Sequence, residues 1–173
     1  MTDAFADEQY DDADIRRILK TTSTVAMVGA STNENRPSFF VLKYLLEKGY
    51  HVIPVNPGAA GKEILGQTVV ASLDEIDEDV DMVDVFRPSS ATPDIARDAV
   101  AIGAKTLWLQ LGVFNDEAAT IARDAGLDVI MNRCPKIEYG RLCGEAGWMG
   151  LNSGTLSARR GAMLPGMQRR KLR

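Results

Sequence analysis

The sequence predicts an α/β fold: a doubly wound sheet of about five parallel strands, preceded by a leading helix and followed by a basic C-terminal extension. Three observations carry this. A unit of helix, glycine and short apolar strand occurs three times, as residues 39–46, Gly49 and 51–55; 95–102, Gly103 and 106–109; and 117–125, Gly126 and 127–131. Two further apolar runs, Val25–Val28 and Met82–Phe86, each precede a helical pattern, bringing the strands to five. All five are short and rich in aliphatic residues, as strands buried on both faces are. Strands alternating with helices of this length imply crossovers and a parallel sheet covered on both sides.

Taken in order, residues 11–21 place Ile15, Ile18 and Leu19 at helical spacing, with acids early and Arg16, Arg17 and Lys20 late, which complements a helix dipole. Val25–Val28 then runs into Gly29-Ala30-Ser31, where side chains stay small, and on to Arg36-Pro37-Ser38. Pro37 suits the first turn of a helix, because the N–H it lacks would have had no intrahelical partner. The free N–H groups of that turn and the positive end of the dipole favour an anion. Arg36 and the hydroxyls of Ser31 and Ser38 complete a candidate phosphate site. Phe39, Leu42, Leu45 and Leu46 mark the buried stripe of the helix that follows.

In open α/β sheets ligands lie beyond the carboxyl ends of the strands. The remaining strand ends are Asn56-Pro57-Gly58, Arg87-Pro88-Ser89-Ser90, Gln110-Leu111-Gly112-Val113 and Asn132-Arg133-Cys134-Pro135-Lys136, and the loop 58–62 adds Lys62 beside the second strand. Small residues, amides and cations predominate and carboxylates are absent, which suits an anionic ligand. The Gly-x-Gly-x-x-Gly dinucleotide fingerprint is missing, and no acid stands at the tip of the second strand to hold ribose hydroxyls. Polarity alone leaves coenzyme A and NADP both open.

With 173 residues, 45% of them hydrophobic, the chain has material for one domain with a substantial core. The expected organisation is an acidic N-terminal extension over 1–10, the α/β domain over 11–145, and a glycine-containing basic extension over 146–173. A net charge of −4 argues against wholesale nucleic-acid binding. The acidic start and the basic end offer a route to homo-oligomers through charge attraction. Neither a membrane-spanning run nor a signal-peptide pattern is present, so a cytoplasmic protein is expected. The two cysteines, Cys134 and Cys143, have neither disulfide-motif nor zinc-site spacing.

The motifs Val-Gly-Ala-Ser (28–31), Arg-Pro-Ser (36–38), Pro-Val-Asn-Pro (54–57), Asp-Val-Phe-Arg (84–87), Leu-Trp-Leu-Gln-Leu-Gly-Val (107–113) and Asn-Arg-Cys-Pro-Lys-Ile-Glu (132–138) together resemble the small stand-alone CoA-binding proteins. Their Rossmann-like domain is also similar to the amino-terminal domain of the succinyl-CoA synthetase α-subunit. The resemblance covers about residues 14–142. It implies a site for coenzyme A or an acyl-CoA, with phosphates at Gly29–Ser31 and Arg36-Pro37-Ser38, and Lys62 near the 3′-phosphate. Phe86 and Arg87 would lie alongside the nucleotide.

The related synthetase forms a phosphohistidine outside this domain, and the one histidine here, His51, opens the second strand at the opposite edge from the proposed ligand. No pair of carboxylates, metal cluster or catalytic histidine is evident, so binding without catalysis is expected. The alternatives are an NADP-dependent oxidoreductase and a ligand-free interaction scaffold. Cys134 is expected to pack as a small buried residue. In the competing reading Arg133 and Lys136 favour its thiolate and the thiol reacts with the ligand. Trp148 and Leu151, in the terminal extension, offer contact area to the domain or to a partner.

Overall fold

The computed structural model describes residues 9–144 and, as backbone, the short antiparallel pair β8 (Leu151–Asn152) and β9 (Thr155–Leu156). The acidic segment 1–8 and most of the basic extension, including Trp148 and the terminal basic residues expected to join subunits, lie outside the described residues.

The leading helix α1 spans Asp12–Thr21, capped by Asp11, whose carboxylate accepts from the Ala13 N–H at 2.9 Å. It leads to β1 (Thr24–Val28), α2 (Pro37–Glu47) and β2 (His51–Val55). A hairpin, β3 (Glu63–Ile64) with β4 (Gln67–Thr68), follows; Leu65 and Gly66 turn it. The alternating run of β5 (Met82–Val85), α3 (Thr92–Ala101), β6 (Thr106–Leu109), α4 (Asp116–Asp124) and β7 (Asp128–Ile130) then closes on α5 (Pro135–Leu142). The five strands read from the sequence are the five of the parallel sheet. The hairpin and α5 were not foreseen.

The sheet order is β2-β1-β5-β6-β7, parallel throughout, so the winding reverses between β1 and β5. One face packs on α1, α2 and α5 through residues such as Ile15, Leu19, Leu42, Leu45, Met82 and Trp108. The other packs on α3 and α4 through Val83, Ala96, Ala99, Leu107, Ala118 and Ala122. The alanines let α3 and α4 lie close to each other and to the sheet. Beyond the hairpin, Val70 bridges to Val55, and Asn56 donates its backbone N–H to the Val70 carbonyl at 2.9 Å. That segment covers the end of the β2 edge, which would otherwise present unpaired backbone groups. Opposite, Arg17 of α1 grips Asp128 of edge strand β7 with two hydrogen bonds of 2.9 and 3.0 Å.

The point where strand order reverses fixes where a crevice opens, since the connections after β1 and β5 leave toward opposite faces.

Candidate functional site

At that reversal point lies a cavity of about 900 Å³, within the usual range of small-molecule sites. Its first wall is the β1–α2 turn. Gly29 has φ +86°, and a Cβ built there would sit 2.5 Å from the Phe86 carbonyl oxygen, so only glycine lets the tips of β1 and β5 approach this closely. The small residue serves the neighbouring strand first. The aliphatic stem of Arg87 lies beside it, with Cδ 3.1 Å from the same position.

Beyond Gly29 the turn is built from side-chain hydrogen bonds. The Ser31 N–H donates to Ser38 Oγ at 3.2 Å, the Asn33 N–H to Ser31 Oγ at 3.1 Å, and the Asn35 N–H to Asn33 Oδ1 at 2.9 Å. Ser38 is buried, and its hydroxyl ties the turn to the helix. Arg36 occupies the cap of α2 and makes no side-chain capping bond, Pro37 follows, and the first turn holds no acid. Neither Arg36 nor Arg87 has a side-chain hydrogen bond or ion pair among the described residues, and both are exposed. The start of α2 therefore presents a positive dipole end and an uncommitted guanidinium to the cavity.

The opposite wall is the start of α5, again with a proline in the first turn, where Lys136 lies 5.7 Å from the centre of the Tyr44 ring. Among the described residues no carboxylate belongs to the cavity wall. Cys134 lines it but is buried, and burial pushes its thiol up, with the Ile137 amide, the Lys136 amide and the Lys136 charge only opposing. The thiolate reading is corrected accordingly: desolvation outweighs the neighbouring positive groups. Arg133 faces elsewhere, stacking 5.6 Å from the Tyr10 ring centre and 4.0 Å from Glu138.

Below the floor sits a group the sequence reading missed. Asp84 is fully buried in β5; its Oδ1 accepts from the Gln110 Nε2 at 2.7 Å, and its Oδ2 has no partner. Burial pushes this carboxyl up to about 7, against the smaller downward pull of the Gln110 hydrogen bond. Gln110 itself lines the cavity. A lone acid inside an apolar strand, Met-Val-Asp-Val, was the available signal.

Of the candidate residues, Gly29, Ser31, Arg36, Pro37, Ser38, Phe86, Arg87 and Cys134 line one cavity. Ala30, Asn56, Pro57, Lys62, Gly112 and Asn132 lie outside its wall. Their geometry gives reasons. Ala30 is fully buried, and its carbonyl accepts from Asn56 Nδ2 at 2.7 Å, while Asn56 Oδ1 accepts from the Gly58 N–H at 2.9 Å, so both ends of that amide hold backbone. Asn132, at φ +54°, accepts the Gly112 N–H at 2.8 Å and thereby joins the tips of β6 and β7. Pro57 and Lys62 are exposed on the loop beyond β2. Phe40, Leu111 and Ile137 were not among the candidate residues and do line the cavity. Phe40 falls off the buried stripe of α2 set by Leu42 and Leu45, and that mismatch was its signal.

Among the described residues no helix is long and apolar enough to cross a membrane. Residues 23–140 match the model of the family described as the CoA binding domain. The chain is 39% identical over 127 residues to the uncharacterized protein YneT of Bacillus subtilis, covering 73% of this chain and 93% of that protein. A solved structure of a hypothetical protein from Pyrococcus horikoshii superposes with a TM-score of 0.75 at 40% identity, covering 78% of this chain and 94% of that one. The ADP-forming acetate–CoA ligase II of Archaeoglobus fulgidus is 28% identical over 110 residues, and the chain spans 16% of its length. A family match over more than half of the chain, at the residues that build the β1–β5 cavity, makes this protein a member of the CoA-binding domain family.

Proposed function

We propose that the protein binds coenzyme A or one of its thioesters in the cavity between the tips of β1 and β5, and that it does so without turnover of its own. The observation that carries this reading is the wall: Arg36, Arg87, Lys136 and the start of α2 supply positive potential, and among the described residues no carboxylate lines it. A pyrophosphate requires such a lining, and forked guanidinium contacts supply geometry as well as charge. Lys62, exposed beyond β2, is proposed to meet the ribose 3′-phosphate where a long ligand leaves the cavity. Binding in place of catalysis is supported by the composition of the wall, whose thiol is pushed toward its neutral form by burial and whose described residues include no carboxylate or histidine to serve as a general base.

Thermal denaturation with CoA and with NADP tests the reading. A ligand at about 100-fold over its dissociation constant stabilises the native state by about 2.7 kcal/mol, a rise of several degrees for a domain of this size. The expected result is a rise with CoA. A rise with NADP alone would favour the reading as an NADP-dependent oxidoreductase, and no rise with either would favour a scaffold.

A further inference from the structure

Four large apolar side chains stand exposed among the described residues, and three of them share this one cavity: Phe40 at 51%, Leu111 at 56% and Ile137 at 52%. The fourth, Leu65, turns the β3–β4 hairpin. The three come from separate elements, the first turns of α2 and α5 and the loop after β6, so their convergence is not the stripe of a single amphipathic helix. Each stands close in sequence to a polar group of the same wall. Phe40 lies one helical turn from Arg36, Leu111 follows Gln110, and Ile137 follows Lys136. Apolar groups left wet cost free energy that a covering ligand recovers, and a wall combining cations with exposed apolar surface is complementary to an amphiphilic anion.

We infer that the preferred ligand is an acyl thioester of coenzyme A whose apolar chain lies over Phe40, Leu111 and Ile137. This rests on the CoA-binding reading and narrows it, because free CoA ends in a thiol and has no acyl chain to lay over that surface. A fully buried methylene is worth about fourfold in affinity, and on half-exposed walls the gain per methylene is smaller.

Calorimetric titration of the intact chain with CoA, acetyl-CoA and octanoyl-CoA tests it. Octanoyl-CoA is expected to bind at least about tenfold more tightly than CoA, with acetyl-CoA between. The variant carrying F40S, L111S and I137S, all at exposed positions, is expected to lose the octanoyl advantage, so that it binds octanoyl-CoA no more tightly than it binds CoA. If CoA and octanoyl-CoA bind equally, the acyl inference is overturned and the CoA reading stands. If octanoate alone binds as tightly as its thioester, the patch is a fatty-acid site and the inference fails. If none of the thioesters nor CoA binds, the functional reading itself falls. If the triple variant keeps the octanoyl advantage, the chain lies elsewhere and this placement is wrong.

Discussion

The turns after β1 and β2 leave the same edge of the sheet, and both pair small residues with a cation, yet the fold uses them differently. After β1, Gly29 is pressed against the Phe86 carbonyl while Arg36 is left uncommitted at the head of a helix. After β2, the amide of Asn56 is spent on backbone at both ends, and a Cβ at Gly58 would meet nothing nearer than Asn56 Oδ1 at 3.4 Å. The difference follows from strand order. β1 borders the reversal point, whereas β2 is an outer strand whose tip is overlain by the segment through Val70. Equal composition at two strand tips therefore does not mean equal access to ligand.

The floors of the two regions differ as well, and this predicts the largest effect. Under the β1–β5 cavity Asp84 is buried with its carboxyl raised from 3.8 to about 7, while β2 buries no ionisable group. Well below pH 3.8 folded and unfolded chains both hold the Asp84 proton. As pH rises toward 7 the unfolded chain releases it and the folded chain does not, so stability falls across this window, by up to about 4 kcal/mol for a shift of this size. Asp84→Asn retains an acceptor for Gln110 and removes the titration. Urea unfolding at pH 4.5 and pH 8 is expected to show the variant gaining on the wild type as pH rises; parallel curves would mean that Asp84 ionises normally.

Next in size is the contrast between the two glycines. Gly29→Ala forces a methyl group into a backbone carbonyl at an unfavourable φ and is expected to cost at least about 2 kcal/mol. Gly58→Ala is expected to change stability by no more than about 0.5 kcal/mol. Denaturation midpoints of the two variants check this, and comparable losses would erase the distinction between the turns.

What the sequence revealed and concealed has the same origin. Periodicity marked all five sheet strands and four of the helices, because each carries an aliphatic stripe or run that the core demands. Helix α5 escaped because its apolar residues are few and Gly140 interrupts it. The turn at Arg36-Pro37-Ser38 was legible from local rules for helix starts. Which strand tips border the crevice was not, since that depends on the order β2-β1-β5, and no local pattern encodes the pairing of β1 with β5. Asn56 illustrates this: as a residue type it suits a ligand, and only the fold reveals that the Ala30 carbonyl and the Gly58 N–H already hold it.

The most direct measurement is calorimetric titration of CoA and of 3′-dephospho-CoA into wild type, Arg36→Ala and Lys62→Ala. A charge-assisted contact at Arg36 is worth about 1.5 to 3 kcal/mol, so Arg36→Ala is expected to weaken both ligands at least about tenfold while leaving the melting temperature of the free protein nearly unchanged. Lys62→Ala, on the outer turn, is expected to weaken CoA by a smaller factor and 3′-dephospho-CoA scarcely at all. CoA binding that is indifferent to Arg36→Ala would contradict the assignment of the phosphate site to the start of α2.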